Sequence, residues 1–190
     1  MNIEAIYARI PSISSPLKRQ LMTVGLLGEV LREKGHPPPV IVGGCALAYY
    51  TREIYFSYDV DLAYRDTQAL DEALSALRFR KEGRYWVNEA LEVVIESPAS
   101  SLPGEEAPQE EVLLEDGLSC RILGLEDLIV DRLNAFKHWN SRTDGEMVEL
   151  LVKRYAGEMD WAYLRNRCGR PENDTLAELD GMRQRMDRDG

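Results

Sequence analysis

Long apolar runs are missing from this chain of 190 residues: none approaches the ~18 to 20 consecutive residues that a membrane-crossing helix needs. The first residues, MNIEAIYARIPSISS, also lack the basic start and apolar block of a secretory leader, so a cytoplasmic location with no membrane contact is expected. Cysteine is scarce. Cys45, Cys120 and Cys168 are odd in number and widely separated, and none has a Cys or His neighbour at zinc-finger spacing. This excludes a disulfide framework and a thiolate metal site and leaves free thiols as the expectation. A basic excess is missing too: 23 Lys and Arg stand against 33 Asp and Glu, for a formal net charge of −10. Long-range attraction to nucleic acid is therefore not expected, although a local basic cleft can still hold a phosphate or a tRNA end. Internal repeats and low-complexity blocks are absent as well.

What is present is enough chain to bury a real core in one domain, or in one domain with a small helical annex. From about Lys18 to Glu33, Leu21, Met22, Val24, Leu26, Leu27, Val30 and Leu31 recur at helix-like intervals, and KGHPPP then stops the segment. The short β-branched run Val40, Ile41, Val42 reads as a strand. Gly43-Gly44 ends it, and CALAYYTRE suits a short helix. Next, YFSYDVDLAY alternates with period two. Ser57, Asp59, Asp61 and Ala63 lie on one side, and the apolar Tyr58, Val60, Leu62 and Tyr64 on the side expected to face the core. Asp66 and Thr67 are good caps for a helix over QALDEALSALRF. RYWVN and LEVVIES read as a hairpin, SPASSLPGEEAPQEE as a loop, and EVLLEDGLSCRIL as a second hairpin around Asp116-Gly117. From Gly124 the periodicity turns helical through LEDLIVDRLNAFKHW, DGEMVELLVKRYAG and DWAYLRNRC, and the last twenty residues look like a charged tail. The organisation expected is an α/β core with its amino-terminal helix over 1–122, a helical part packed on that core over 123–170, and a tail over 171–190.

Aspartate is among the residues that strands use least, so Asp59 and Asp61 need a reason. On a strand of period two both point the same way, with Cβ atoms roughly 7 Å apart, and their carboxylates can converge on one cation. Mg²⁺ characteristically takes one or two carboxylates and fills its remaining positions with water and phosphate oxygens. The plain alternative is a solvated strand face near a turn. Upstream, Gly43-Gly44 after a buried strand lets backbone approach a triphosphate, and the helix that follows offers unpaired N–H groups and a positive dipole end. There the plain alternative is a strand-to-helix turn. On the later helix Asp127, Asp131, Asn134 and His138 fall at steps of four, three and four, a polar stripe opposite Leu125, Leu128, Ile129, Leu133 and Phe136. Such a stripe reads as a solvated face.

A strand, a Gly-Gly turn, a helix and then Asp-x-Asp on the next strand, here VGGCALAYY followed by SYDVDLAY, resembles the minimal nucleotidyltransferases of the DNA polymerase β superfamily. More narrowly, the chain looks like the bacterial nucleotidyltransferase-like proteins that include the AbiEii-type toxins, which share GG-small-AL and a later helix of the type LEDLIVDRLNAFKHW. The resemblance covers roughly Val40 to Leu164. It implies an α+β (mixed α/β) nucleotidyltransferase fold, a small mixed sheet flanked by helices with a helical carboxy-terminal part. It also implies a Mg²⁺ (or Mn²⁺) enzyme that moves NMP from an NTP to a hydroxyl of RNA such as tRNA, of a protein or of a small molecule, with an antitoxin as a partner in toxin-like members.

The resemblance further implies metal binding and catalysis by Asp59 and Asp61 with a third carboxylate from a later strand. Glu96 is favoured, since it precedes a Pro-containing loop, and Glu92 is the alternative at i−4 on what reads as the same strand face. Gly43, Gly44 and Ser57 would hold phosphates. The later helix would close over the nucleotide, with Arg132 and Lys137 neutralising the triphosphate and His138 and Arg142 near phosphate or acceptor. Many relatives carry an Arg just ahead of the Asp-x-Asp element, where this chain has Tyr55, and Arg52 is the nearest substitute. A second reading is a domain that keeps the fold without catalysis and binds a nucleotide or a partner protein.

Overall fold

The computed structural model describes residues 2–99 and 107–189. Two compact units divide the chain, Met1–Leu123 and Gly124–Gly190. In the first, Asn2 caps α1 (Ile3–Arg9) by accepting from the Ala5 N–H, and a 3-10 turn follows. Ser15 caps α2 (Pro16–Glu33) in the same way through the Lys18 N–H, and Pro16 fills the first turn, where its missing N–H costs nothing. Helix α2 thus starts two residues before the apolar spacing alone indicates. Leu21, Met22, Val24, Leu26, Leu27, Val30 and Leu31 are all buried, which makes α2 the central helix of this unit.

Seven strands form one sheet among the described residues: β1 (Val40–Val42), β2 (Val60–Ala63), β3 (Arg80–Glu82), β4 (Tyr85–Asn88), β5 (Val93–Ala99), β6 (Gln109–Leu113) and β7 (Ser119–Leu123). Their order is β3-β4-β5-β2-β1-β7-β6. The pairs β1–β7 and β2–β5 are parallel and the others antiparallel, so the sheet is mixed. Helix α3 (Gly43–Tyr50) links β1 to β2, and α4 (Thr67–Ala76), capped by Asp66, follows β2. The mixed α/β class expected from the sequence is the class observed.

Several local expectations change. The strand expected over YFSYDVDLAY runs only from Val60 to Ala63, so the alternation does not extend back to Tyr58. Tyr64 is buried as expected and its hydroxyl donates to the Pro37 carbonyl, but Tyr58 is 77% exposed. The charged β3, built of Arg80, Lys81 and Glu82, carries no apolar alternation that would announce it and pairs with β4 across a turn at Gly83. Of the Pro/Glu-rich loop, residues 97–99 belong to β5 and 109–111 to β6, while 100–106 lie outside the described residues.

The second unit comprises α5 (Leu125–His138), α6 (Arg142–Tyr155), α7 (Trp161–Cys168) and α8 (Leu176–Asp189). The segment expected as a charged tail holds α8, with Leu179 and Met182 buried. Two apolar residues one turn apart are enough to hold that helix despite its charge. Among the described residues no helix is long and apolar enough to cross a membrane.

Candidate active site

Strand register brings the acidic residues together. Val60 and Leu62 are fully buried, so the pleat turns Asp61 to the opposite face, and Asp59 shares that direction. In the parallel pair β2–β5, Asp61 lies directly beside Glu96, whose neighbour Ile95 is likewise buried. Asp59, Asp61 and Glu96 each offer a carboxylate oxygen, and these oxygens lie within 4.8 Å of one another. Three carboxylates at that spacing repel one another and form an oxygen donor set of the kind a small divalent ion takes.

The Gly-Gly turn is shaped around this cluster. β1 runs antiparallel to β2 with Val42 opposite Asp61, so the chain leaves β1 beside that carboxylate. Gly43 has φ +58°, and a Cβ there would overlap Asp61 Oδ2. Only glycine satisfies both conditions. The Gly44 N–H, in the first turn of α3, donates to Asp61 Oδ2 at 3.3 Å. A Cβ on Gly44 would come within 2.6 Å of Ser57 Oγ, so the second glycine admits the serine. Ser57 is buried; its hydroxyl donates to the Asp59 carbonyl at 2.8 Å and its carbonyl accepts from Gln20 Nε2 at 3.0 Å. These bonds fix the approach to Asp59. Cys45, beside the turn, donates to Gln20 Oε1, and burial, followed by nearby Cys120, Asp61 and Asp59, pushes its thiol far up. It stays protonated and is no nucleophile at neutral pH.

The alternative third carboxylate is elsewhere. Glu92 precedes β5 in a turn with φ +53° and pairs with Arg19 at 2.5 Å. Because β5 begins at Val93, Glu92 never joins the face that carries Glu96. Arg84 was not foreseen. Its Nε lies 3.3 Å from Glu96 Oε1, its guanidinium sits over the Tyr85 ring, and it holds a cation at the edge of the carboxylate cluster. The residue sits at the turn between β3 and β4, and the unrecognised β3 hid the signal. Arg52 is exposed, at φ +54°, in the loop after α3.

Arg132, Lys137 and the polar stripe of α5 belong to the second unit. Arg132 is held between Asp131 and Asp144, and Lys137 between Asp174 and Glu178. The stripe expected as a solvated face is buried at one position, Asp127. Asp127 is 1% exposed and accepts from Arg167 Nε at 2.8 Å and from the Tyr163 hydroxyl at 2.7 Å. Asn134 donates to Asn173 Oδ1, and His138 Nε2 lies 3.4 Å from the Asn173 carbonyl. Helix α7 and the turn after it supply these partners, while Asp131 pairs with its neighbour Arg132 and stays part-exposed, and His138 is exposed. Arg142 is exposed beside Glu146, and Trp139 is exposed.

No family model matches the chain, and no curated protein matches it. Among solved structures, the solution structure of the antibiotic-resistance factor ANT(2'')-Ia aligns over 74% of this chain and 91% of its own, at 17% identity and a TM-score of 0.42.

Proposed function

We propose that the chain is a metal-dependent nucleotidyltransferase that moves NMP from an NTP to a hydroxyl of an RNA such as tRNA, of a protein or of a small molecule. The observation that carries this reading is the convergence of Asp59, Asp61 and Glu96 beside a Gly-Gly turn that opens a helix. The three carboxylates would hold Mg²⁺ or Mn²⁺, which when bound polarises the α-phosphate and eases ionisation of the attacking hydroxyl. Gly43, half-buried at the start of α3, brings backbone close to the carboxylates, and the dipole end of that helix favours triphosphate oxygens there, while the Gly44 N–H is already given to Asp61. The hydroxyl oxygen bonds to the α-phosphorus while the bond from that phosphorus to the α,β-bridging oxygen breaks. Pyrophosphate leaves with the electron pair, and the hydroxyl proton passes to Asp59 and on to solvent. Ser57 acts as a positioning residue, since its hydroxyl holds the Asp59 carbonyl. Arg132 and Lys137 already have carboxylate partners and are assigned no part in the step.

One observation favours the second reading, a nucleotide- or partner-binding domain without catalysis: Arg84 already supplies a cation to Glu96. A single experiment separates the two. Each α-labelled NTP is incubated with Mg²⁺, RNA, protein and small-molecule acceptors, comparing native chain with Asp59→Ala plus Asp61→Ala. Transfer is expected from the native chain alone and to fall by at least ~10³-fold in the double variant, the scale on which removing transition-state charge stabilisation acts. Equal labelling by both would sink the catalytic reading.

A further inference from the structure

Next to the carboxylates, within the first unit, a cavity of about 430 Å³ opens between the loop that precedes β2 and the β4–β5 hairpin. Phe56 and Tyr58 line it from the loop, and Val87 and Val94 from the strands. Phe56 is 63% exposed, and with Ile54 and Tyr58 this loop carries three of the five exposed large hydrophobic side chains among the described residues. Apolar groups gathered in one place at the mouth of a cavity mark a binding surface rather than scattered surface residues.

Register ties the cavity to the chemistry. Tyr85 pairs with Glu96 and Val87 with Val94, so Val94 shares the face of Glu96 at one side-chain step, about 7 Å along β5. Tyr58 adjoins Asp59 in the chain. In the order β4-β5-β2-β1, the carboxylates on β2 and β5 stand between the cavity at β4 and the Gly-Gly turn that follows β1. An in-line displacement needs attacking and leaving oxygens on opposite sides of the transferred phosphorus. With the triphosphate at the Gly-Gly turn, the attacking hydroxyl arrives from the β4 side.

We infer that this cavity is the acceptor site and that it takes a small, ring-bearing alcohol, neutral or cationic. The inference rests on the transferase reading and narrows its acceptor. About 430 Å³ lies in the range of small-molecule pockets, ~300 to 1,000 Å³. Flat groups suit the two aromatic side chains. Charge selects against anions: in the lining Arg19 and Glu92 pair with each other, and Glu89 is left over, its partner Arg80 lying outside the lining. The phosphates of an RNA end would meet Glu89 with no unpaired cation among the lining residues to receive them.

Three phenyl alcohols of matched shape test the inference: 2-amino-1-phenylethanol, 1-phenylethanol and mandelate, which are cationic, neutral and anionic. Each is titrated into the full chain with Mg²⁺ and a non-hydrolysable NTP analogue, with ligand-observed NMR as the readout. Saturable binding is expected for the cation and the neutral alcohol, with mandelate at least about tenfold weaker than the cation. Val94→Trp, which fills the cavity, and Phe56→Ala plus Tyr58→Ala, which removes exposed rings only, should each abolish the signal while cooperative melting is kept. Mandelate binding as well as the cation, binding that survives both variants, or no saturable binding at all would overturn the inference. So would label transfer to RNA or protein that persists in Val94→Trp. Failure of the transferase reading is distinguishable, because α-labelled NTP with Mg²⁺ would then give no transfer to any acceptor that depends on Asp59 and Asp61, whatever the phenyl alcohols do.

Discussion

Gly43 meets two demands that no other residue meets together. Its φ of +58° costs an L-residue about 1–2 kcal/mol, and the space of a Cβ is taken by the Asp61 carboxylate. Gly43→Ala is therefore expected to lower stability by at least that amount and to push Asp61 out of the cluster. In urea melts with and without Mg²⁺ and NTP, the variant should melt earlier and lose most of the ligand-induced gain. A variant that is less stable yet keeps the full gain would show that Asp61 is placed without the glycine. Sequence reading picked out Gly43, Gly44, Asp59 and Asp61 because each is an unusual residue for its local structure. The sequence alone does not show what the glycines are next to. In the folded chain they make room for Asp61 and Ser57, side chains thirteen and more positions later in the sequence, and whatever they offer a phosphate comes after that.

At the scale of the element, α5 shows how one face changes meaning when neighbours arrive. Its polar stripe has the spacing of a solvated face, yet Asp127 is buried against Arg167 and Tyr163 of α7. Removing one partner of such a buried pair leaves an uncompensated charge and costs about 3–5 kcal/mol. Burial first, and then the hydrogen bond to Asp127, push the Tyr163 hydroxyl up to about 12. An unfolded tyrosine titrates near 10, so the unfolded chain releases its proton first as pH rises. The contribution of Tyr163 to stability is then complete below about pH 10 and is lost between about 10 and 12. Denaturant melts of native chain and Tyr163→Phe across this window should show a shallower alkaline decline in the variant. Parallel curves would remove the coupling. The comparison also subtracts Cys120, whose thiol is likewise pushed up to about 12 by burial.

For the molecule as a whole, the carboxylate cluster sets stability against ligand binding. Three acidic groups with oxygens within 4.8 Å destabilise the metal-free chain by mutual repulsion, relieved in part by Arg84. A divalent ion at about 100 times its dissociation constant should add about 2.7 kcal/mol, a rise of roughly 5 to 10 °C for a chain of this size. Asp61→Asn should melt above the native chain in chelator and gain little from Mg²⁺. A native chain indifferent to Mg²⁺ and Mn²⁺ would remove the metal from the site. Much of this fold was legible in the residues. α2, the short helix after Gly-Gly, both hairpins and α5 follow from periodicities of 3.6 and 2, which are properties of one segment at a time. The pair Asp59 and Asp61 was legible for the same reason, as two carboxylates two positions apart at the start of one strand. Tertiary structure alone decided the third carboxylate. The parallel pairing of β2 with β5 spans more than thirty residues and selects Glu96, while a left-handed turn removes Glu92 from the strand. It likewise decided that Tyr58 faces outward and that Asp127 on α5 is buried, because a segment's own pattern says which residues share a face and the arrival of other segments determines which part of it is covered.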